Sequence, residues 1–167
     1  TPDEAHTGYG YIKKGLKHEN ANVVESFIEK PNLKNATRFL ESGEYLWNSG
    51  MFLFKSSMYL QELKKHRPEI YNSCRDANDN KVKDSYFTRP GKSEFLSCPN
   101  ESIDYAIMEN TNKSIVFSLS AEWNDLGSWD ALLQNSKIDS NHNFLEGDVY
   151  VDNVSNSYIS SEKGFIS

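Results

Sequence analysis

The chain has 167 residues, 37% of them hydrophobic and 13% aromatic, which is enough to fill one packed domain and too apolar for a disordered tail. A formal net charge of −6 excludes an extended surface that tracks a nucleic-acid backbone, because such a surface needs clustered Lys and Arg; a small phosphate site remains open. Apolar runs such as Met51 to Phe54 and Tyr105 to Met108 are far too short to span a bilayer, and the N-terminus does not read as a signal peptide.

Thr7 to Lys14 is a glycine-punctuated turn running into a strand, and Val23 to Phe27 is a second strand, closed by Pro31. Asn32 to Ser42 carries Leu33, Ala36 and Leu40 at helical spacing, with Asn32 as its cap and Gly43 as its stop. Gly50 to Lys55 reads as a fully apolar buried strand. Ser56 is expected to cap a helix through Lys65, and Pro68 to restart a second helix to about Ala77. Asn78 to Asn100 is polar, interrupted by Pro90-Gly91 and Pro99, and reads as an exposed connection with one helical turn. Ser102 opens a helix through Glu109, Ser114 to Leu119 is a strand, and the aromatic, acidic turn from Ala121 to Trp129 leads into a short helix ending at Gln134.

This alternation of strands and helices favours an α/β fold with a layered, mixed sheet over residues 1–138. Composition shifts after about Lys137. Residues 139–167 are short β-forming runs (Gly147 to Val151, Ser157 to Ser160, Phe165 to Ile166) separated by Asn, Asp, Ser and Gly, as at the start of a β-rich or β-helical segment. The chain opens at Thr1 and stops inside a predicted strand, so it is expected to belong to a longer protein. Cys74 and Cys98 lack metal-ligand spacing and suit a reduced, cytoplasmic setting. The four histidines form neither an i, i+4 metal pair nor part of a hydrolase triad.

Several short motifs could carry chemistry. Glu29-Lys30-Pro31 ends a predicted strand, where an α/β sheet commonly places ligands; Glu suits a sugar diol and Lys a phosphate, but the tripeptide by itself reads first as a solvated charge pair at a strand end. Asn48, before Gly50, both donates and accepts, as a hydroxyl-rich ligand requires; an ordinary turn is the plain alternative. Asp104 in the first turn of its helix, with Glu109 further along, reads first as helix stabilisation by the dipole, with indirect support of a site as the second reading. Asp125, between Trp123 and Trp129 and beside Gly127, offers a hard oxygen ligand for magnesium; capping of the next helix by Asp125 or Ser128 competes with this. Thr7-Gly8-Tyr9-Gly10 could set backbone N–H groups against an anion or a sugar.

Taken in order, TGYGYI, FIEKP, YLWNSGMFLF, SIDYAIME and WNDLGSW closely resemble the C-terminal half of the nucleotidyltransferase domain of the mannose-1-phosphate guanylyltransferases, in the bacterial form fused to a phosphomannose isomerase. The resemblance covers about residues 1–138, and the tail resembles the β-rich segment that follows. It implies a partial Rossmann-like nucleotidyltransferase domain and the reaction of mannose 1-phosphate with GTP to give GDP-mannose and pyrophosphate, with Mg2+ as cofactor. Residue by residue, it implies that Glu29 binds the sugar hydroxyls, Lys30 the 1-phosphate, and Asn48 and the backbone around Gly8 the ring, while Asp125 is a metal-binding aspartate; Lys30 and Asp125 are the catalytic pair. The glycine-rich nucleotide signature of the family lies upstream of Thr1, so the 167 residues alone are expected not to turn over. A homo-oligomer is compatible with the sequence; nucleic-acid and membrane partners are not expected. The alternatives are another sugar or base specificity, a non-catalytic sugar-phosphate-binding relative, and a glycosidase pair of Glu29 and Asp125, which Lys30 argues against.

Overall fold

A two-residue turn, Glu19-Asn20, decides the direction of the first sheet. Strands β1 (Tyr11–His18) and β2 (Ala21–Ile28) are too close in sequence for a crossover, so they pair as an antiparallel hairpin, with Glu19 in the left-handed region at φ 52°. The computed structural model describes residues 1–120, 123, 125–127 and 129–167, without the side chains of Asp130 and Gln134. They form two compact units, Thr1–Leu119 and Ser120–Ser167.

In the first unit, helix α1 (Leu33–Ser42) follows β2. Asn32 accepts the Asn35 N–H at 2.9 Å, and Gly43 ends the helix in the left-handed conformation at φ 66°, so both predicted boundaries match the structure. Strand β3 (Tyr45–Trp47) then returns antiparallel to the free edge of β1. Ala36 and Phe39 of α1 pack on the fully buried Tyr11, and the Phe39 ring stacks on Tyr45 at 4.1 Å between centroids.

Helices α2 (Ser56–His66) and α3 (Pro68–Asp79) meet at Arg67, with Pro68 at the first position, where its missing N–H costs nothing. Ser56 is simply the first helical residue; Lys55 precedes it and no side chain caps the end. A short hairpin, β4 (Val82–Lys83) with β5 (Thr88–Arg89), and the five-residue α4 (Lys92–Leu96) occupy the polar connection. Asp104–Met108 is one turn of π-helix rather than a longer α-helix. Its Ala106 and Ile107 join Leu63 of α2 and Ile70 of α3 in a second core. Arg67 locks this corner by donating to both carboxylate oxygens of Glu101, at 2.5 and 2.8 Å. Strand β6 (Ile115–Val116) finishes the sheet, whose order is β3-β1-β2-β6.

Three expectations change here. Every strand pair in the sheet of the first unit is antiparallel: α1 carries the chain across β1, so β2 and β3 run in the same direction, but β1 lies between them and they never pair. Gly50 to Lys55 pairs with no described strand, and Met51, Leu53 and Phe54 are exposed; an apolar run qualifies for burial but becomes a strand only where a neighbouring edge meets it. The strand expected over Ser114 to Leu119 shrinks to two residues, since only Asn22 and Val23 of β2 lie opposite it.

In the second unit, α5 (Trp129–Gln134) precedes a parallel pair, β7 (Phe144–Val149) and β8 (Tyr158–Ile166). Phe144 lies opposite Tyr158, one step of 14 residues, and the two rings stack at 4.6 Å. Buried Asn143 fastens the intervening loop: its Nδ2 donates to the Val154 carbonyl at 2.9 Å and its Oδ1 accepts the Ser157 N–H at 3.1 Å. The runs expected at Ser157 to Ser160 and Phe165 to Ile166 are one strand, with Gly164 inside it. Among the described residues no helix is long and apolar enough to cross a membrane.

Candidate functional site

The register of the first sheet builds the site. Tyr11 opens β1 opposite both Ile28, the last residue of β2, and Trp47, the last residue of β3. The next residue outward on each strand therefore falls on one rim: Gly10, Glu29 and Asn48. The Asn48 N–H donates to the Gly10 carbonyl at 2.8 Å, which extends the ladder by one bond and fixes this alignment. Asn48 thus follows a strand, instead of preceding the one expected at Gly50 to Lys55.

Gly10 has no room for a side chain. A Cβ there would run into Glu29 Oε2 and come within 3.1 Å of the Asn48 Cβ, so the glycine lets the carboxylate lie across the strand. Gly10→Ala is expected to push Glu29 off this seat and to lower stability by about 1–3 kcal/mol, the usual cost of overpacking. A thermal melt together with a 13C titration of the Glu29 carboxyl reads both effects; an unchanged Glu29 titration in Gly10→Ala would show that the close approach has no consequence.

Glu29 is held from two sides. Its backbone N–H donates to Glu109 Oε1 at 2.9 Å, and its Oε1 lies 3.6 Å from Lys30 Nζ. Its other oxygen, Oε2, is buried, and among the described residues no group donates to it. Burial pushes the Glu29 carboxyl above its usual range, the Asp104 and Glu109 carboxylates push the same way, and Lys30 opposes them. A raised carboxyl proton affinity stabilises the fold at acid pH, and that contribution is lost as pH rises from the ordinary carboxylate range through the elevated folded value. Once ionised, Glu29 is therefore a stability cost that a ligand O–H donor can offset.

Lys30 turns sharply, at φ 46°, immediately before Pro31. Left-handed backbone is uncommon for a residue with a side chain, and such strain gathers where a side chain must be aimed. The Lys30 side chain is 60% exposed, against 10% for Glu29, so the ammonium faces solvent while the carboxylate is enclosed.

Asn48 is oriented on both sides of its amide. Nδ2 donates to Asp104 Oδ1 at 3.1 Å, and Oδ1 accepts the Gly50 N–H at 3.0 Å. One N–H and one lone pair remain to face a ligand. Gly8, expected to offer its backbone here, already donates its N–H to His6 Nδ1 at 3.1 Å, and His6 stacks on Tyr9 at 3.9 Å. The glycine against Glu29 and Asn48 is Gly10, which spacing alone did not separate from Gly8.

Glu29, Lys30 and Asn48 belong to the first unit and Asp125 to the second. Asp125 is exposed, and its carbonyl accepts the Gly127 N–H at 2.7 Å in a tight turn. Asn124 and Ser128, the latter a capping candidate, lie outside the described residues. Among the described residues no three His, Cys, Asp or Glu side chains gather around a common point that could hold an ion. One exposed carboxylate still fits magnesium, which is commonly held by one or two carboxylates together with substrate phosphates and water.

The Nucleotidyl transferase family model matches residues 1–142. The mannose-1-phosphate guanylyltransferase RfbM of Salmonella typhimurium is 47% identical over 167 residues, covering 99% of this chain and 35% of that protein. The mannose-1-phosphate guanylyltransferase of Escherichia coli K12 is 43% identical over 170 residues, covering 99% of this chain and 36% of that protein. A crystal structure of mannose-6-phosphate isomerase from Helicobacter pylori matches with a TM-score of 0.67 and 34% identity over 75% of this chain and 49% of its own. A crystal structure of mannose-1-phosphate geranyltransferase from Thermus thermophilus shares the fold with a TM-score of 0.75, at 23% identity, over 99% of this chain and 48% of its own. The chain spans about a third of the length of the curated relatives it matches. The match over residues 1–142, most of its length, shows that the chain belongs to the nucleotidyl transferase family.

Proposed function

We propose that this chain supplies the sugar-phosphate side of a mannose-1-phosphate guanylyltransferase. In the reaction, a phosphate oxygen of mannose 1-phosphate attacks the α-phosphorus of GTP; a new P–O bond forms, the bond to the β-phosphate bridge breaks, and GDP-mannose and pyrophosphate leave. Two anions must be brought together, so the protein's task is charge neutralisation and alignment. Glu29 accepts from the sugar hydroxyls, Asn48 fixes the ring with its remaining N–H and lone pair, and the exposed Lys30 ammonium meets the 1-phosphate. Asp125 offers one oxygen to magnesium, which when bound screens phosphate charge. Residues 139–167 begin a β-helical segment; the parallel β7–β8 pair at a 14-residue step supports this reading.

The observation that carries the proposal is the buried Oε2 of Glu29, without a donor among the described residues, beside an exposed lysine. An acceptor enclosed without a donor suits a hydroxyl, and the neighbouring cation suits a phosphate. The test is 31P NMR titration of the 167-residue chain with mannose 1-phosphate. Saturable broadening or shift of the phosphorus signal is expected, weakened at least tenfold by Lys30→Ala and by Glu29→Gln. A phosphorus signal that ignores the protein at millimolar ligand, or binding indifferent to both substitutions, would overturn the proposal.

A further inference from the structure

Asp104 and Glu109 are five residues apart. In an α-helix that spacing leaves them about 140° apart around the axis, on different faces. Here the Glu109 N–H bonds back to the Asp104 carbonyl at 2.9 Å, the i+5 pattern of a π turn, which swings Glu109 round toward the side that carries Asp104. Both carboxylates then reach the rim of the sheet. Asp104 Oδ1 accepts from the Asn48 amide at 3.1 Å, and Glu109 Oε1 accepts the Glu29 N–H at 2.9 Å. The turn is itself anchored by Ala106 and Ile107 in the core with Leu63 and Ile70.

We infer that Asp104 and Glu109 are positioning residues, set by a one-turn π-helix to clamp Asn48 and Glu29 so that the two present a prearranged edge to a sugar diol. The inference rests on the proposed sugar-phosphate site and deepens it. Neither residue needs to touch the ligand. Asp104 decides which way the Asn48 amide faces, because an ionised carboxylate only accepts and so selects the NH2 end. Glu109 holds the backbone of Glu29 one residue before the strained Lys30, which keeps the enclosed carboxylate and the exposed ammonium on a fixed vector. Sub-ångström alignment of binding groups is the kind of effect that small displacements destroy.

The experiment uses the whole 167-residue chain and mannose 1-phosphate, followed by 31P NMR. Asp104→Ala and Glu109→Ala are each expected to weaken binding about tenfold, whereas Asp104→Asn and Glu109→Gln, which keep a carbonyl acceptor, recover most of it. In a Glu29→Gln background the alanine substitutions are expected to cost much less, because the groups act as a unit. A merely structural role predicts something different: equal damage from the alanine and amide variants, and full additivity with Glu29→Gln. Either of those results overturns the inference. If the alanine variants fail to fold, 13C titration of the Glu29 carboxyl in Asp104→Asn decides the matter. A lower midpoint supports an oriented Asp104 charge beside Glu29, and an unchanged one overturns it. Weak binding in Glu29→Gln with normal binding in the alanine variants sinks this inference alone; normal binding in Glu29→Gln itself sinks the reading of the whole site.

Discussion

Asp125→Asn is expected to lower GDP-mannose synthesis by about 10²–10³-fold, the range seen when one preorganised electrostatic partner of a transition state is removed. The assay is a hybrid in which residues 1–167 replace the matching segment of the Salmonella typhimurium relative, which is 47% identical over that stretch. The physical reason is charge. Asparagine keeps the shape and one neutral oxygen but gives up the negative charge that attracts a hard dication, so the loss should be partly restored at high magnesium. The melting temperature should not move, because the Asp125 side chain is exposed and the turn at Gly127 uses its backbone carbonyl. Full activity in Asp125→Asn would remove the metal role. Loss of activity with an equal loss of stability would point to the turn, and would leave the metal role equally without support.

The second large effect falls on stability. Glu62 of α2 is 5% exposed at its side chain and receives Lys113 Nζ at 2.7 Å and the Thr111 hydroxyl at 2.8 Å. His66 Nε2 lies 3.4 Å away, on the next turn of the same helix. Hydrogen bonds from Lys113 and Thr111, which favour the ionised form, hold the Glu62 carboxyl down at about 2 against an ordinary 4.5, even though burial opposes them. A depressed carboxyl contributes stability that is fully present above the ordinary value and is lost as pH falls through it toward about 2. The melting temperature of the chain should therefore decline between these limits, and Glu62→Gln should flatten that part of the acid limb. Glu62→Ala should cost about 2–3 kcal/mol at neutral pH, a drop of about 10 °C, because a charge-assisted pair and a hydroxyl bond go together. The figure stays below that of a wholly buried pair because Lys113, half exposed, can return to water. A melt in which Glu62→Gln tracks the parent protein across the acid range would refute the assignment. Lys113 and Thr111 follow the π turn directly, so the same contact steadies the segment that carries Asp104 and Glu109.

Cys74 and Cys98 are both free, with sulfurs 4.0 Å apart, as two thiols in contact and not a bridge. Burial pushes the Cys98 thiol up, away from the thiolate needed for reactivity.

Much of the local structure was legible in the amino-acid order because its causes are local. Asn32 and Gly43 bound α1 through a side-chain cap and a left-handed glycine, and Pro68 opens α3 through its fixed φ. Glu29-Lys30-Pro31 could be placed at a strand end for the same reason, and the succession of motifs was enough to suggest the family that the match over residues 1–142 shows. Other features depended on partners distant in the chain. Met51 to Phe54 is as apolar as a central strand, but the edge of β1 is taken by Tyr45–Trp47, and no described strand meets the later run. Gly8 and Gly10 look alike in sequence; only the register of three strands sets Gly10 under Glu29 and gives Gly8 to His6. Over five residues an i+4 and an i+5 pattern bury the same apolar side chains, so periodicity could not reveal the π turn. Asp104 reaches Asn48 across 56 residues and Glu109 reaches Glu29 across 80. The kinds of groups at the site (carboxylate, amide and ammonium) were determined by sequence alone, because they are properties of single residues. Their common rim came from strand register and core packing, which exist only once the chain has folded.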